Sequence, residues 1–155
     1  MTINVAINGF GRIGRNVVRA LYDEFVAEAG LCHENRDAIK IVAINDLSDT
    51  KTLAHMLTFD SVHGTFANES ITFNETSLFI GDDEVKVFAQ RNPEDLPWAD
   101  LEVDVVLECT GLFKSKETAG KHITAGAKKV IVSAPGEDMD QTVVYGVNHD
   151  VITSE

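Results

Sequence analysis

Apolar residues along this chain gather in short continuous runs, and between the runs they recur at helical spacing, a pattern that predicts strands buried on both faces alternating with amphipathic helices. Ile3 to Asn8 reads as one buried strand, Arg12 to about Ala27 as a helix, and Ile39 to Asn45 as a second β-rich strand. Such a unit crosses over right-handed and sets its two strands parallel. Gly30 marks a helix stop, and the polar stretch from Gly30 to Asp37 is expected as a surface loop. Leu47-Ser48-Asp49 leads into a short helix from Thr50 to Leu57, with Ser48 or Asp49 as its N-cap.

The middle of the chain changes character. Ser70 to Phe73, Ser77 to Ile80 and Glu84 to Phe88 cluster apolar residues around turns at Asn74-Glu75-Thr76 and Gly81-Asp82-Asp83, which predicts short antiparallel strands inserted between the parallel ones. Parallel structure is expected to resume at Val103 to Leu107. A helix from about Ser115 to Ala125, a strand Val130 to Ser133 and a final β run, Thr142 to Tyr145, follow. The whole reads as one α/β domain over residues 1–155, a doubly wound parallel sheet with a short antiparallel insertion.

The first strand runs into Asn8-Gly9-Phe10-Gly11-Arg12-Ile13-Gly14, a glycine turn that opens the first helix. Each glycine has a reason: Gly9 takes the tight turn out of the strand, Gly11 lets the backbone approach a ligand with no Cβ in the way, and Gly14 allows the helix to pack closely on the sheet. The helix start offers free N–H groups and a positive dipole end, so the turn is expected to hold a dinucleotide pyrophosphate in a Rossmann domain.

In an open parallel sheet, ligands bind beyond the carboxyl ends of the strands. Asp46 follows the second strand, where its carboxylate could accept both hydroxyls of an adenosine ribose and repel a 2′-phosphate, favouring NAD over NADP; it competes with a helix-capping role. It lies farther from Gly14 than the usual spacing of about twenty residues, and the surplus falls in the polar loop around Cys32. Thr110-Gly111 and Ser133-Ala134 end two further strands, either as plain turns or as small residues that let a planar ring or a phosphate come close.

Composition narrows the classes. With 25 acids against 13 bases the formal charge is −12, which argues against a nucleic-acid or anionic-membrane partner. No apolar run has the length of a membrane span and the N-terminus has no secretory pattern, so the expected location is the cytoplasm. Cys32 and Cys109 lack metal or disulfide spacing, and no metal site is expected. Glu108 disfavours a thiolate at its neighbour and His122 falls inside the following helix, so Cys109 reads as a packing residue rather than a nucleophile. His63 reads as a structural loop histidine.

The segments Ile7 to Arg15, Val42 to Leu47, Asp60-Ser61-Val62-His63-Gly64, Glu108-Cys109-Thr110-Gly111 and Ala127 to Pro135 resemble, in order, the glyceraldehyde-3-phosphate dehydrogenase family of glycolysis and gluconeogenesis. The resemblance implies that Arg12 and Ile13 contact the pyrophosphate, Asp46 the adenosine ribose, Arg91 the adenine side through its backbone, Thr110 and Phe113 the adenine surroundings, and Ser133 the nicotinamide side. It implies NAD as cofactor, a phosphorylated aldehyde as substrate and a homotetramer for the intact enzyme, with the isolated chain a monomer or weak dimer. The family's nucleophilic cysteine lies in a segment that would follow Glu155, so the chain is expected to be a cofactor domain of a longer enzyme, without catalytic residues and inactive alone. Erythrose-4-phosphate dehydrogenase is a close cousin that leaves the aldehyde open, and a stand-alone NAD-sensing module is the alternative from another class.

Overall fold

The computed structural model describes residues 2–22, 38–66 and 69–152. Strands β1 (Ile3–Asn8), β2 (Ile39–Asn45), β5 (Ile71–Phe73), β6 (Ser77–Ile80), β7 (Asp83–Phe88), β8 (Val105–Glu108) and β9 (Lys129–Val132) form one sheet in the order β5-β6-β7-β2-β1-β8-β9. Pairing is parallel from β7 through β9 and antiparallel for β5, β6 and the β6–β7 pair. The antiparallel strands therefore extend the main sheet at one edge instead of standing between its parallel strands. Within the expected insertion, the Glu84 to Phe88 run is itself a parallel member, beside β2.

From β1 the chain first builds outward through β2 and then returns to add β8 and β9 on the other side of β1. The order thus reverses at β1 and β8, and in open sheets of this kind ligands bind beyond the carboxyl ends of the strands at such a reversal.

Helix α1 (Arg12–Leu21) and helix α2 (Thr50–Thr58) cover one face, where Ile7, Val18, Ile44, Leu53 and Leu57 share a core. The opposite face buries Trp98 against Ala6, Ala43 and Val106. Alternation along β1 and β2 sorts these sets: Ile7 and Ile44 are register partners toward one core, Ala6 and Ala43 toward the other. The small alanine pair leaves room for the indole.

Several expectations need correction or limits. The helix from Ser115 to Ala125 is two short helices, α3 (Lys116–Ala119) and α4 (Lys121–Thr124), which share Gly120 as a cap. The run Thr142 to Tyr145 is no strand: it pairs with no strand among the described residues, Tyr145 is 88% exposed, and the Asn148 side chain bonds Val144 N–H and Thr142 C=O to close a turn. β propensity without a neighbouring strand to pair with does not make a strand. A small antiparallel pair, β3 (Phe59–Asp60) with β4 (Gly64–Thr65), was not anticipated. The expected helix beyond Tyr22, the loop from Gly30 to Asp37 and Cys32 lie outside the described residues.

Candidate functional site

The turn after β1 is built by three glycines with three different environments. Gly9 sits at φ +91°, and a Cβ there would lie 2.8 Å from the backbone N of Thr110. At Gly14 a Cβ would run into the Gly9 carbonyl, so this glycine is what lets α1 lie against the strand end. Around Gly11 there is open space, with nothing within 4 Å of a Cβ. Two glycines are thus consumed by packing and one faces room for a ligand.

Helix α1 begins at this open space in a way that suits an anion. Its N-cap is Gly11, with no side-chain cap, and its first turn holds no acid. Arg12 is exposed there, and Arg15 donates from Nη1 to the Phe10 carbonyl at 2.9 Å while its buried Nε has no partner among the described residues. Basic residues at the positive end of a helix oppose the dipole, and uncapped N–H groups there await an acceptor. A bound anion satisfies both. Ile13 beside them is 48% exposed, apolar surface turned outward at the helix start.

Asp46 is tied into the same turn. Its Oδ2 accepts the Phe10 N–H at 2.9 Å and its Oδ1 accepts the Ser48 N–H at 2.9 Å. The helix-capping alternative is occupied elsewhere, since Asp49 caps α2 by accepting from Thr52 N–H at 2.7 Å. Each Asp46 oxygen keeps one acceptor direction, which is what a ribose diol requires.

The remaining sequence-selected residues divide. Thr110 and Gly111 follow β8 beside the glycine turn, with Gly111 at φ +72° and open space around it. Ser133 and Ala134 follow β9, the Ser133 N–H donating to the Glu108 carbonyl at 3.0 Å. Arg91 lies exposed past β7. Phe113 is half-buried and edge-on to His122. Phe10 and Asn8 do not face the open space at Gly11 with their side chains: the Phe10 ring is fully buried in the core and its N–H is already committed to Asp46, while Asn8 is buried beneath the turn. Cys109 is half-buried; burial pushes its thiol up, a Ser133 hydrogen bond opposes this and the Glu108 charge adds to it, the reverse of what a nucleophile needs. His63 accepts its place in a surface turn with Asp60.

Sequence reasoning missed a buried polar cluster directly under the turn. Glu108 and His122 have no exposed side-chain surface, and His122 Nε2 lies 3.1 Å from Glu108 Oε2. Asn8 Nδ2 donates to the same oxygen at 2.5 Å, and the Thr110 N–H and hydroxyl both donate to Oε1, the first at 2.8 Å. Burial works against the charge of Glu108, but hydrogen bonds from His122, Thr110 and Asn8 outweigh it and hold the carboxyl below its ordinary value. The signal was faint: a carboxylate ending an otherwise apolar strand, and a histidine on the inward face of a helix.

Comparison with known proteins gives a consistent picture. The family model for the glyceraldehyde 3-phosphate dehydrogenase NAD binding domain matches residues 3–116. The chain is 55% identical over 153 residues to the chromosomal glyceraldehyde-3-phosphate dehydrogenase of Cupriavidus necator, covering 98% of this chain and 43% of that protein. It is 53% identical over 152 residues to glyceraldehyde-3-phosphate dehydrogenase of Pseudomonas aeruginosa, covering 98% of this chain and 42% of that one. It therefore spans less than half the length of the curated relatives it matches. On the extent of the family match, and with a glycine turn, an uncapped helix start and a strand-end acid joined at the carboxyl ends of β1 and β2, the chain belongs to the glyceraldehyde 3-phosphate dehydrogenase family as its NAD-binding domain.

Proposed function

We propose that this chain, residues 1–155, is the cofactor-holding domain of a phosphorylating glyceraldehyde-3-phosphate dehydrogenase and binds NAD across the carboxyl ends of β2, β1, β8 and β9. The open space at Gly11, in front of an uncapped α1 whose first turn is basic, carries the reading. There the Gly11, Arg12 and Ile13 backbone receives the pyrophosphate, with Gly9 and Gly14 shaping the turn. Asp46 accepts the adenosine ribose hydroxyls with its free acceptor directions. Arg91 through its backbone, Thr110, Gly111 and Phe113 border the adenine, and Ser133 and Ala134 the nicotinamide.

Bound there, the nicotinamide supplies hydride transfer. The residues of this chain hold and orient the dinucleotide; the nucleophile and the contacts to a phosphorylated aldehyde belong to the part of the enzyme that this chain does not span. The intact enzyme is proposed as a cytoplasmic homotetramer, and the isolated chain as a monomer or weak dimer. Glyceraldehyde 3-phosphate is the favoured aldehyde, since the relatives carry that name. The strongly acidic balance gives no footing for a nucleic acid. No helix among the described residues is long and apolar enough to cross a membrane.

Titration calorimetry of the 155-residue chain with NAD tests the proposal. Saturable heat is expected, with weaker binding than a closed two-domain site would give. No heat at millimolar NAD removes it.

A further inference from the structure

The buried cluster under the glycine turn has a hydrogen-bond direction that is fixed at both ends. At one end the Trp98 indole Nε1, which can only donate, points at His122 Nδ1 at 3.0 Å. Nδ1 must therefore be the bare nitrogen, His122 is neutral, and its proton sits on Nε2, 3.1 Å from Glu108 Oε2. At the other end the Asn45 amide is held by the backbone of Gln90, donating to its carbonyl at 2.9 Å and accepting its N–H at 2.8 Å. This orientation makes Asn45 Nδ2 donate to Asn8 Oδ1 at 2.7 Å, and so turns Asn8 Nδ2 toward Glu108. Neither end can reverse.

Each hydrogen-bond partner of Glu108 among the described residues, Asn8, His122 and Thr110, is consequently a donor. The Thr110 hydroxyl conforms as well, because it accepts from the Leu112 N–H at 3.0 Å and gives its proton to Glu108 Oε1. Among the described residues no lysine or arginine pairs with this carboxylate. A fully buried acid in that setting has to be the ionised, acceptor-only form.

The cluster also spans the place where the sheet order reverses. Asn8 adjoins Gly9, whose N–H donates to the Asn45 carbonyl at 2.8 Å; Cys109 N–H donates to the Asn8 carbonyl at 2.7 Å; and Phe113 lies edge-on to His122 at 6.4 Å between ring centres. Glu108 is bonded both to the end of β1, through Asn8, and to the turn after β8, through Thr110. We infer that Glu108 and His122 are positioning residues for the dinucleotide: an ionised carboxylate, enforced by two donor chains that converge on it from Trp98 and from Asn45, locks these two turns in the relative placement that receives the cofactor. The inference rests on the reading of these strand ends as the NAD site.

Glu108→Gln keeps the shape but brings an NH2 group into a ring of donors, so one side of the amide must face N–H with N–H. At a temperature where the variant is fully folded, its NAD affinity should fall about ten- to a hundredfold. Adding Trp98→Phe releases His122 Nδ1, so the imidazole can move its proton and accept from the new amide. The double variant should bind NAD about threefold or more tighter than Glu108→Gln alone, although removing the indole lowers thermal stability further. A merely structural role predicts the opposite, weaker or equal binding as stability drops.

Nitrogen-15 NMR of the unmodified chain provides the measurement that needs no variant. It should show His122 protonated at Nε2 and bare at Nδ1 at neutral pH, with both resonances shifting on addition of NAD. The opposite tautomer, an imidazolium, or resonances that ignore saturating NAD overturn the inference, as does a Glu108→Gln chain with full affinity or a double variant no better than the single. A chain with the expected tautomer that binds no NAD at all instead sinks the cofactor reading, and the positioning role with it.

Discussion

The Asp46 carboxylate accepts the backbone N–H of Phe10 at 2.9 Å, so the acid that ends β2 and the glycine turn that ends β1 are one mechanical unit. The relationship gives Asp46 two tasks. It fixes where the turn lies, and in the proposed function its remaining acceptor directions receive the ribose.

Asp46→Ala should therefore cost stability and affinity together. Freeing the Phe10 and Ser48 N–H groups removes two charge-assisted hydrogen bonds, and NAD affinity should drop while the gap between NAD and NADP narrows. In the unmodified chain NAD should be preferred by roughly one to two orders of magnitude, the equivalent of about 1.5–3 kcal/mol. Parallel titrations with both cofactors check this; equal binding of the two by the unmodified chain would refute it.

Asp60 makes the acid side of the stability profile testable. Backbone hydrogen bonds from His63 and Val62 hold its carboxyl well below the ordinary value. Because the folded value lies below the unfolded one, the stabilisation is complete above the usual carboxylate range and is lost as pH falls through the folded value. Asp60→Asn keeps an acceptor oxygen and removes the charge. Its urea midpoint should lie below that of the unmodified chain at neutral pH, and the difference should shrink steadily into acid; a constant difference across pH would count against the assignment.

Burial of Cys109 predicts a sluggish thiol. In a Cys32→Ser background, alkylation of Cys109 at neutral pH should run slower than that of a free cysteine, with the rate climbing above the ordinary cysteine range. The same chemistry predicts no phosphate-dependent reduction of NAD by this chain alone. Turnover that disappears in Cys109→Ala would reverse that expectation.

What could be read from the sequence follows a physical division. β1, β2 and the glycine turn were legible to the residue, because buried strands are continuous apolar runs and each glycine answers a local backbone demand. Elements held by tertiary context were not. Thr142 to Tyr145 has strand propensity but pairs with no strand among the described residues, and the helix expected over Ser115 to Ala125 divides at Gly120. The side-chain cluster was least visible of all: Asn8 meets Glu108 from 100 positions away, and Trp98 meets His122 from 24, distances at which periodicity carries no information. Even Phe10, inside the most recognisable motif, has its ring in the core rather than in the candidate site.

The three glycines allow packing to be separated from ligand approach. Gly9→Ala forces a positive φ onto an L side chain and drives Cβ against Thr110; Gly14→Ala drives Cβ into the Gly9 carbonyl. Both should lose about 1–3 kcal/mol of stability, and any loss of NAD binding would then be ambiguous. Gly11→Ala differs, because Gly11 has an ordinary negative φ of −72° and its Cβ would enter empty space. Its stability should stay within about 1 kcal/mol of the unmodified chain, the small cost being a poorer helix cap. NAD affinity should nevertheless fall sharply, since the added methyl occupies the approach to the α1 N–H groups. Thermal melts and NAD titrations on the three variants decide the matter: a Gly11→Ala chain that melts normally and still binds NAD at full strength would mean that the pyrophosphate does not lie at this turn.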